Sequence, residues 1–397
     1  MLTRLMKSNI ANGVLLSMAA FAISLLISFY TYSFLWRTAD RELFGLWMAV
    51  FEFSQFLLLL DLGFTHSFIK NNINNGRESF LADLPRLRGS LLLMSLLASF
   101  IIAASVIQMD GVNVGIGVAP YVFLVLSIAL TLIGYADTAA LRLMQQFKKI
   151  YAINIMSNLL FFAFLHSDYI DNVVNRLAVA TFLRSLFSYT LQNIALGAGL
   201  KLSWPNQLSA GAAVVGLNAS YFVYFMLDGF IMASMGVSLL VVASSIVLKK
   251  YFDALRGMWD SSLSVFSIAF AKVGDRRRDW YIRFILVASF LCAWLFSPVI
   301  IQIWLGDSST DPWLTSGICV SVMFLSLYRV ETTRLYFQGR LGLFLPIIIA
   351  VVIKVVFAFL IFIRDFEIGS IYMIQGVFIG CAVLVMNYFA EKHKKCS

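Results

Sequence analysis

The chain has 397 residues, of which 60% are hydrophobic and only 13% are charged. A soluble domain carries about 25% charged residues, because its core needs a solvated surface around it. The composition therefore excludes a soluble globular enzyme and predicts a protein whose surface is mostly in contact with lipid. The formal net charge is +9, but the Lys and Arg residues lie in short gaps between apolar runs. We therefore expect no nucleic-acid partner.

The cysteine and histidine residues indicate neither a disulfide framework nor a metal site. The four cysteines form no CxxC motif, and three of them lie in apolar stretches. The three histidines are scattered without ligand spacing, and no GxxxxGK[ST] phosphate loop is present. We expect no metal and no cofactor. The first apolar run is too long for a signal-peptide core and is predicted to remain as the first span.

Membrane-spanning helices need about 20 mostly apolar residues, and the chain contains about twelve such runs. We therefore predict an all-α polytopic membrane protein with about 12 transmembrane helices. In chain order the predicted spans are Ile10–Tyr32, Leu43–Phe64, Ser90–Ile107, Val114–Tyr135, Ile150–Leu165, Leu177–Leu200, Leu208–Ala233, Val237–Phe252, Ile282–Trp304, Leu314–Tyr336, Leu341–Phe362 and Ile368–Tyr388.

The distribution of Lys and Arg predicts the orientation, because cytoplasmic connections carry the excess of these residues. With a cytoplasmic amino terminus, the outer connections hold only Arg37, Arg41, Arg176 and Arg364. We therefore predict that both termini are cytoplasmic. The longest connection contains an apolar segment, Leu263–Ala271, that we predict to lie as a helix on the cytoplasmic surface.

Two sequence segments resemble a known family of membrane proteins. Phe44-Gly45-Leu46-Trp47 near the start of the second span is followed by Leu60-Asp61-Leu62-Gly63 at its end. Asp228 lies near the end of the seventh span, and Gly236 follows that span. The pattern resembles the Wzx-type O-antigen and polysaccharide flippases, the polysaccharide transporter family of the multidrug/oligosaccharidyl-lipid/polysaccharide exporter superfamily. The chain departs from the family pattern by lacking a proline at the end of the first span and a tyrosine after Gly236.

The resemblance implies two six-helix lobes, residues 1–204 and 205–397, around a central cavity. It implies a multi-pass protein of the bacterial cytoplasmic (inner) membrane in O-antigen and lipopolysaccharide biosynthesis, with membrane lipids and polysaccharide assembly proteins as partners. The implied substrate is an oligosaccharide linked to undecaprenyl diphosphate, moved from the cytoplasmic to the outer leaflet by alternating access. Asp61 and Asp228 are then structural residues near helix ends, and Gly45, Gly63 and Gly236 allow close helix packing.

Ionisable residues inside the predicted spans are the candidate functional residues, since a central charge usually needs a partner or a water-filled cavity. Arg184, Arg329 and Lys354 have no opposite charge three or four residues away, where a helix would place a same-face neighbour. We expect these three cations to line a cavity for an anionic ligand, with Glu52 as a coupling or cavity acid. The alternative is that all four residues form buried pairs between helices. Glu331 is expected to pair with Arg334.

Three functions remain open on the sequence. A flippase uses the cations to bind the diphosphate of a lipid-linked glycan. A multidrug or cation antiporter of the same superfamily shares the fold but needs acids deep in its cavity, for which Glu52 is the candidate. A membrane polysaccharide polymerase needs a substantial catalytic outer loop, whereas the outer connections here are short and hold a single histidine, His166. We therefore predict a transporter and not an enzyme.

Overall fold

The computed structural model describes residues 2–61, 64–72, 77–109, 117–144, 146–167, 170, 172–197, 223–224, 226–272, 276–306, 311–337, 345–364 and 366–396. These residues are helical apart from short turns, and they include no β-strand. The predicted all-α class is confirmed. The chain divides into two compact units, Met1–Val215 and Gly216–Ser397. This boundary and the predicted one, between residues 204 and 205, both lie outside the described residues.

The first unit contains seven described α-helices and one 3₁₀ helix. They are α1 (Leu2–Thr38), α2 (Arg41–Phe56), the 3₁₀ helix Leu57–Asp61, α3 (Phe64–Asn72), α4 (Arg77–Met109), α5 (Ala119–Leu143), α6 (Phe147–Leu165) and α7 (Val173–Leu196). Helix α5 packs against both α4 and α7, and α7 also packs against α6. Helices α5 and α7 therefore lie next to each other within this unit.

The second unit contains six described helices. They are α8 (Asp228–Ser234), α9 (Leu239–Lys272), α10 (Arg276–Leu305), α11 (Pro312–Phe337), α12 (Leu345–Ile363) and α13 (Ile368–Cys396). Helix α11 packs against α9, α10 and α13. The predicted seventh span lies mostly outside the described residues, which include α8 at its end. The predicted helix Leu263–Ala271 is the last part of the continuous helix α9, and its position on the membrane surface stays a prediction.

Seven helices of the described residues are long and apolar enough to cross a membrane. Their apolar parts are Ala19–Thr38, Phe80–Ala104, Ala119–Leu143, Phe147–Leu165, Tyr281–Leu305, Pro312–Thr332 and Ile368–Met386. Helix α12 adds the shorter apolar segment Ile348–Ile363. The chain is therefore a multi-pass membrane protein.

The predicted second span, Leu43–Phe64, is not one α-helix. Asp40 caps the start of α2, because its Oδ1 accepts hydrogen bonds from the backbone N–H groups of Glu42 and Leu43 at 2.9 and 3.0 Å. The α-helix ends at Phe56, and the chain continues as the 3₁₀ helix Leu57–Asp61. Asp61 then accepts hydrogen bonds from the N–H and Oγ1 of Thr65 at 3.2 and 2.5 Å, in the first turn of α3.

Glycines on α13 allow a close approach to α11. A Cβ atom on Gly376 would lie 2.9 Å from Val320 Cγ1 and 3.0 Å from Ser321 Cα. A Cβ on Gly380 would lie 2.8 Å from the ring of Phe324. Small residues let transmembrane helices approach closely in this way. The approach brings Gln375 within hydrogen-bond distance of Ser321.

The three glycines that the sequence analysis assigned to close packing differ from one another. Gly45 is buried in α2, and Gly63 lies outside the described residues. Gly236 has a φ of +76°, and a Cβ there would meet only Arg364 Nη2, at 3.7 Å. It ends α8 in a Schellman motif, with the N–H of Val237 bonded to the carbonyl of Met232 at 3.0 Å. For Gly236 the prediction of close packing is wrong, because the residue supplies a left-handed backbone conformation.

Candidate functional site

The first unit contains a cavity of about 320 Å³ that is lined mostly by polar residues. Residues of α2, the 3₁₀ helix, α5, α6 and α7 line it. The apolar lining residues are Phe51, Leu58, Leu130 and Gly134. The neutral polar ones are Gln55, Ser127, Thr131, Tyr135, Thr138, Asn154, Ser157, Thr181, Ser185, Ser188, Tyr189 and Gln192. Arg184 is the one charged residue among the described residues that line this cavity.

Helical spacing explains why this wall is polar. Ser127, Thr131 and Thr138 recur at intervals of about one or two turns along α5, and Ser188 and Gln192 do the same along α7. Residues three or four apart share one face of a helix. These residues were not among the predicted site residues, although a stripe of hydroxyl and amide side chains inside predicted spans is visible in the sequence.

Hydrogen bonds between the polar lining residues join α5 to α7. The hydroxyl oxygens of Ser127 and Ser185 are 2.8 Å apart, and those of Thr131 and Ser185 are 3.2 Å apart. Gln192 Nε2 donates to Thr138 Oγ1 at 3.2 Å. Gln192 Oε1 is buried and accepts no hydrogen bond from the described residues. The amide therefore offers one unused acceptor.

Arg184 is the candidate ligand-binding cation of this cavity. Its side chain is exposed and lines the cavity wall. No hydrogen bond or ion pair joins it to another residue in the described part of the chain, and no Asp or Glu of that part lines the cavity. A guanidinium in this position presents several N–H donors to a bound anion. The cavity can thus bind a polar ligand that carries a negative charge.

The second unit places Lys354 in a different environment, and the expectation that it is an unpaired cation is wrong. Lys354 Nζ donates a short hydrogen bond to Asp228 Oδ1, so the two residues form a buried ion pair. Lys354 Nζ also donates to Gln375 Oε1 at 3.1 Å, and Gln375 Nε2 donates to Ser321 Oγ at 3.0 Å. Asp228 is 1% exposed, so its carboxylate is buried although the residue lies near the end of a predicted span. It neutralises Lys354.

Arg329 and Glu331 also differ from the expected arrangement. Arg329 is half-buried on α11 and interacts with neighbouring groups, so it is not the unpaired cation that the spacing suggested. Glu331 Oε1 is 2.5 Å from Arg283 Nη2 on α10. The side chain of Arg334, its predicted partner, lies outside the described residues. Arg184 belongs to the first unit and Arg329 and Lys354 to the second, so a shared cavity for the three stays a prediction.

Glu52 does not line the cavity of the first unit, and its role as a coupling or cavity acid stays a prediction. It is fully buried in α2 and interacts with its surroundings. The lining face of α2 carries Phe51 and Gln55. Glu52 is offset from that face because consecutive helical residues are rotated by about 100°.

A buried ion pair in the first unit was also missed. Arg88 Nε donates to Asp137 Oδ1 at 2.6 Å, and the two side chains are 1% and 0% exposed. The predicted third span begins at Ser90 and so left Arg88 in a connection, whereas α4 begins at Arg77. The pair joins α4 to α5.

His166 lies just after the end of α6, among aromatic rings. Its ring centroid is 4.6 Å from that of Phe34 and 4.7 Å from that of Phe162. Burial lowers the pKa of His166, and the nearby charge of Arg176 lowers it further. A polymerase would need a catalytic group on an accessible outer loop, and this packed histidine is a poor candidate for one.

Comparisons with known proteins identify the fold. Neither a protein-family model nor a curated protein sequence matches the chain. Among solved structures, an inward-facing multidrug resistance MATE family transporter of the MOP superfamily matches with a TM-score of 0.61 at 14% identity, covering 95% of this chain and 94% of that chain. A eukaryotic MATE transporter matches with a TM-score of 0.59 at 13% identity, over 96% and 93%.

A third similar structure is described by the polarity of its binding pocket. It is a MOP superfamily transporter from Pyrococcus furiosus, for which a reverse polarity of the binding pocket suggests a different function. The TM-score is 0.57 at 12% identity, over 96% of this chain and 95% of that chain. At these sequence identities the similarity identifies the fold of the chain. The chain has the fold of the MATE transporters of the MOP superfamily.

Proposed function

We propose that the chain is a secondary transporter of the MOP superfamily whose substrate is a polyprenyl-diphosphate-linked oligosaccharide. The substrate moves from the cytoplasmic to the outer leaflet by alternating access. The observation that supports this proposal is the cavity of the first unit. Its wall combines hydroxyl and amide groups with the Arg184 guanidinium and contains no carboxylate of the described residues.

The chemistry of this cavity suits a sugar next to a phosphate. Hydroxyl and amide side chains both donate and accept hydrogen bonds, as sugar hydroxyls do. The guanidinium of Arg184 matches phosphate oxygens, which accept two parallel N–H bonds from it. The polyprenyl tail would remain in the lipid while the polar head group occupies the cavity.

The membrane potential would bias this transport outward. A diphosphate diester carries about two negative charges, and each charge moved out of a negative cell interior gains about 2.3 kcal/mol per 100 mV. The proposal therefore requires no nucleotide site.

The second candidate function is a multidrug antiporter, which the similarity to MATE transporters favours. Such a protein would bind organic cations and would need an available carboxylate near them. Asp228 is paired with Lys354, and no carboxylate of the described residues lines the cavity of the first unit. The charge of this cavity therefore favours an anionic substrate over a cationic drug.

The test uses purified protein in vesicles and a fluorescent lipid-linked oligosaccharide. Wild-type protein should move the lipid-linked sugar, and Arg184→Ala should lower the rate by about 10-fold or more, as expected for losing a charged hydrogen bond of about 1.5–3 kcal/mol. Arg184→Lys should retain part of the rate. The matched control is Arg176→Ala, since Arg176 lies on the same helix but donates to the carbonyl of Ile170 at 2.9 and 2.7 Å.

Efflux of organic cations from cells that lack their own exporters separates the two functions. The flippase proposal predicts no efflux by the wild type and no effect of Arg184→Ala there. Drug efflux that survives Arg184→Ala, together with no movement of the lipid-linked sugar, would favour the antiporter and overturn the flippase proposal.

A further inference from the structure

We propose that the second unit contains a site for a monovalent cation in which Lys354 is a tethered occupant. The ammonium group fills a cage formed by Asp228, Gln375 and the ring of Phe357. Removing the ammonium group opens the cage to an alkali-metal ion from solution. This inference concerns a site outside the cavity of the first unit and does not depend on the identity of the transported substrate.

The geometry of the cage carries the proposal. Lys354 Nζ donates to Asp228 Oδ1 and to Gln375 Oε1, the latter at 3.1 Å, and lies 4.6 Å from the ring centroid of Phe357. Oxygen atoms are the preferred ligands of hard cations, and an aromatic face attracts a cation through its quadrupole. Lys354, Asp228 and Gln375 are 5%, 1% and 4% exposed, respectively. The ammonium is therefore held as a bound cation would be, away from bulk water.

The cage is held in place by the packing around it. Gln375 Nε2 donates to Ser321 Oγ at 3.0 Å, and this bond keeps Gln375 Oε1 directed at the ammonium. The close approach of α13 to α11 at Gly376 sets the distance between these two side chains. The ring of Phe357 packs edge-on against Tyr372, with centroids 5.5 Å apart. The oxygen atoms and the ring would therefore remain near their positions without the lysine.

Charge balance explains what the cage would then bind. A carboxylate buried among apolar helices is strongly unfavourable without a positive partner. In the wild type the tethered ammonium is that partner, so the site has no requirement for a free ion. With Lys354 shortened to alanine, a dissolved cation can enter the vacated space and restore neutrality.

The experiment measures the thermal unfolding of the purified full chain in detergent. Melting temperatures are compared in lithium, sodium, potassium and choline chloride at equal ionic strength and fixed pH. The wild type should unfold at the same temperature in all four salts. Lys354→Ala should be stabilised, with a saturable concentration dependence, by at least one alkali cation relative to choline. The matched double variant Asp228→Asn with Lys354→Ala should lose this response.

Several outcomes would overturn the proposal. One is a selective response of the wild type to an alkali cation. Another is a shift in the melting temperature of Lys354→Ala that equals the shift of the double variant. A third is a shift in the melting temperature of Lys354→Ala that depends on pH and not on the cation. Lys354→Ser, whose side chain is likewise too short to reach the oxygen atoms of the cage, serves as a second variant. Failure of both Lys354 variants to fold in every salt would also overturn it, because no cation would then have replaced the ammonium.

Discussion

The two units treat an intramembrane cation in opposite ways. In the first unit, Arg184 lines a polar cavity and makes no ion pair with the described residues. In the second, Lys354 is buried and neutralised by Asp228. The sequence gives both residues the same appearance, a single basic residue inside an apolar run. The partner of an intramembrane charge therefore decides its role, and the partner of Lys354 is distant in the chain.

The surroundings of the two cations explain the difference. Helices α5 and α7 present hydroxyl and amide groups to the cavity that Arg184 lines, and such groups can form hydrogen bonds with a ligand. Lys354 is surrounded by a carboxylate, an amide and an aromatic ring, which together satisfy its charge. A satisfied cation stabilises the fold, whereas a cation in a cavity is available to a ligand.

The largest expected effect concerns stability, and it contrasts the two cations directly. Lys354→Met or Asp228→Asn alone should lower the free energy of unfolding by about 3–5 kcal/mol, because each substitution leaves the other residue of the pair as a buried charge without a partner. Combining the two substitutions should cost less than either single one. Arg184→Met should leave stability nearly unchanged. Unfolding of the purified proteins in mixed detergents measures all four variants, and equal losses for Arg184→Met and Lys354→Met would contradict the comparison.

A smaller effect is expected where α11 and α13 approach each other beside the Lys354 pair. Gly376→Ala places a Cβ atom 3.0 Å from Ser321 Cα, so the helices must separate, at a cost of about 1–3 kcal/mol. Gly236→Ala should cost about 1–2 kcal/mol for a different reason, since alanine disfavours a left-handed backbone. Asparagine tolerates that conformation better. Gly236→Asn should therefore lose less free energy of unfolding than Gly236→Ala, whereas Gly376→Asn should lose at least as much as Gly376→Ala.

The smallest expected effect concerns the polar wall around Arg184. Gln192→Leu removes one donor and one unused acceptor from the cavity, each worth about 0.5–1.5 kcal/mol. The KM for the lipid-linked sugar in vesicles should rise by about two- to ten-fold. Asn193→Leu, at the next position on the same helix but outside the cavity lining, is the matched control and should leave the KM unchanged. Equal changes for the two variants would remove Gln192 from the binding wall.

The helices could be predicted from the sequence because apolar runs of sufficient length have few alternatives in a membrane. The pairing of charges could not. The spacing rule showed that Lys354 has no partner on its own helix, but Asp228 lies 126 positions away, and only the packing of α8 against α12 brings them together. Arg88 was missed for a related reason, since hydropathy places the start of a span where the apolar residues begin and not where the helix begins.

The end of α2 could not be predicted either. The four leucines Leu57–Leu60 all favour an α-helix. The composition of this segment therefore does not predict its 3₁₀ winding. The polar cavity wall was within reach of the sequence, because its hydroxyl and amide residues follow the helical period. Neutral polar residues are a weaker signal than charges, because an apolar run tolerates single hydroxyl and amide side chains without losing its hydropathy.

The 3₁₀ segment Leu57–Asp61 has a mechanical consequence for the cavity. Its five residues rise about 2.0 Å each, against about 1.5 Å in an α-helix, so rewinding them would shorten the segment by about 2.5 Å. Leu58 lies on this segment and Gln55 just before it, and both line the cavity. One side of the cavity is thus formed by a segment whose length can change while the helices on either side stay intact.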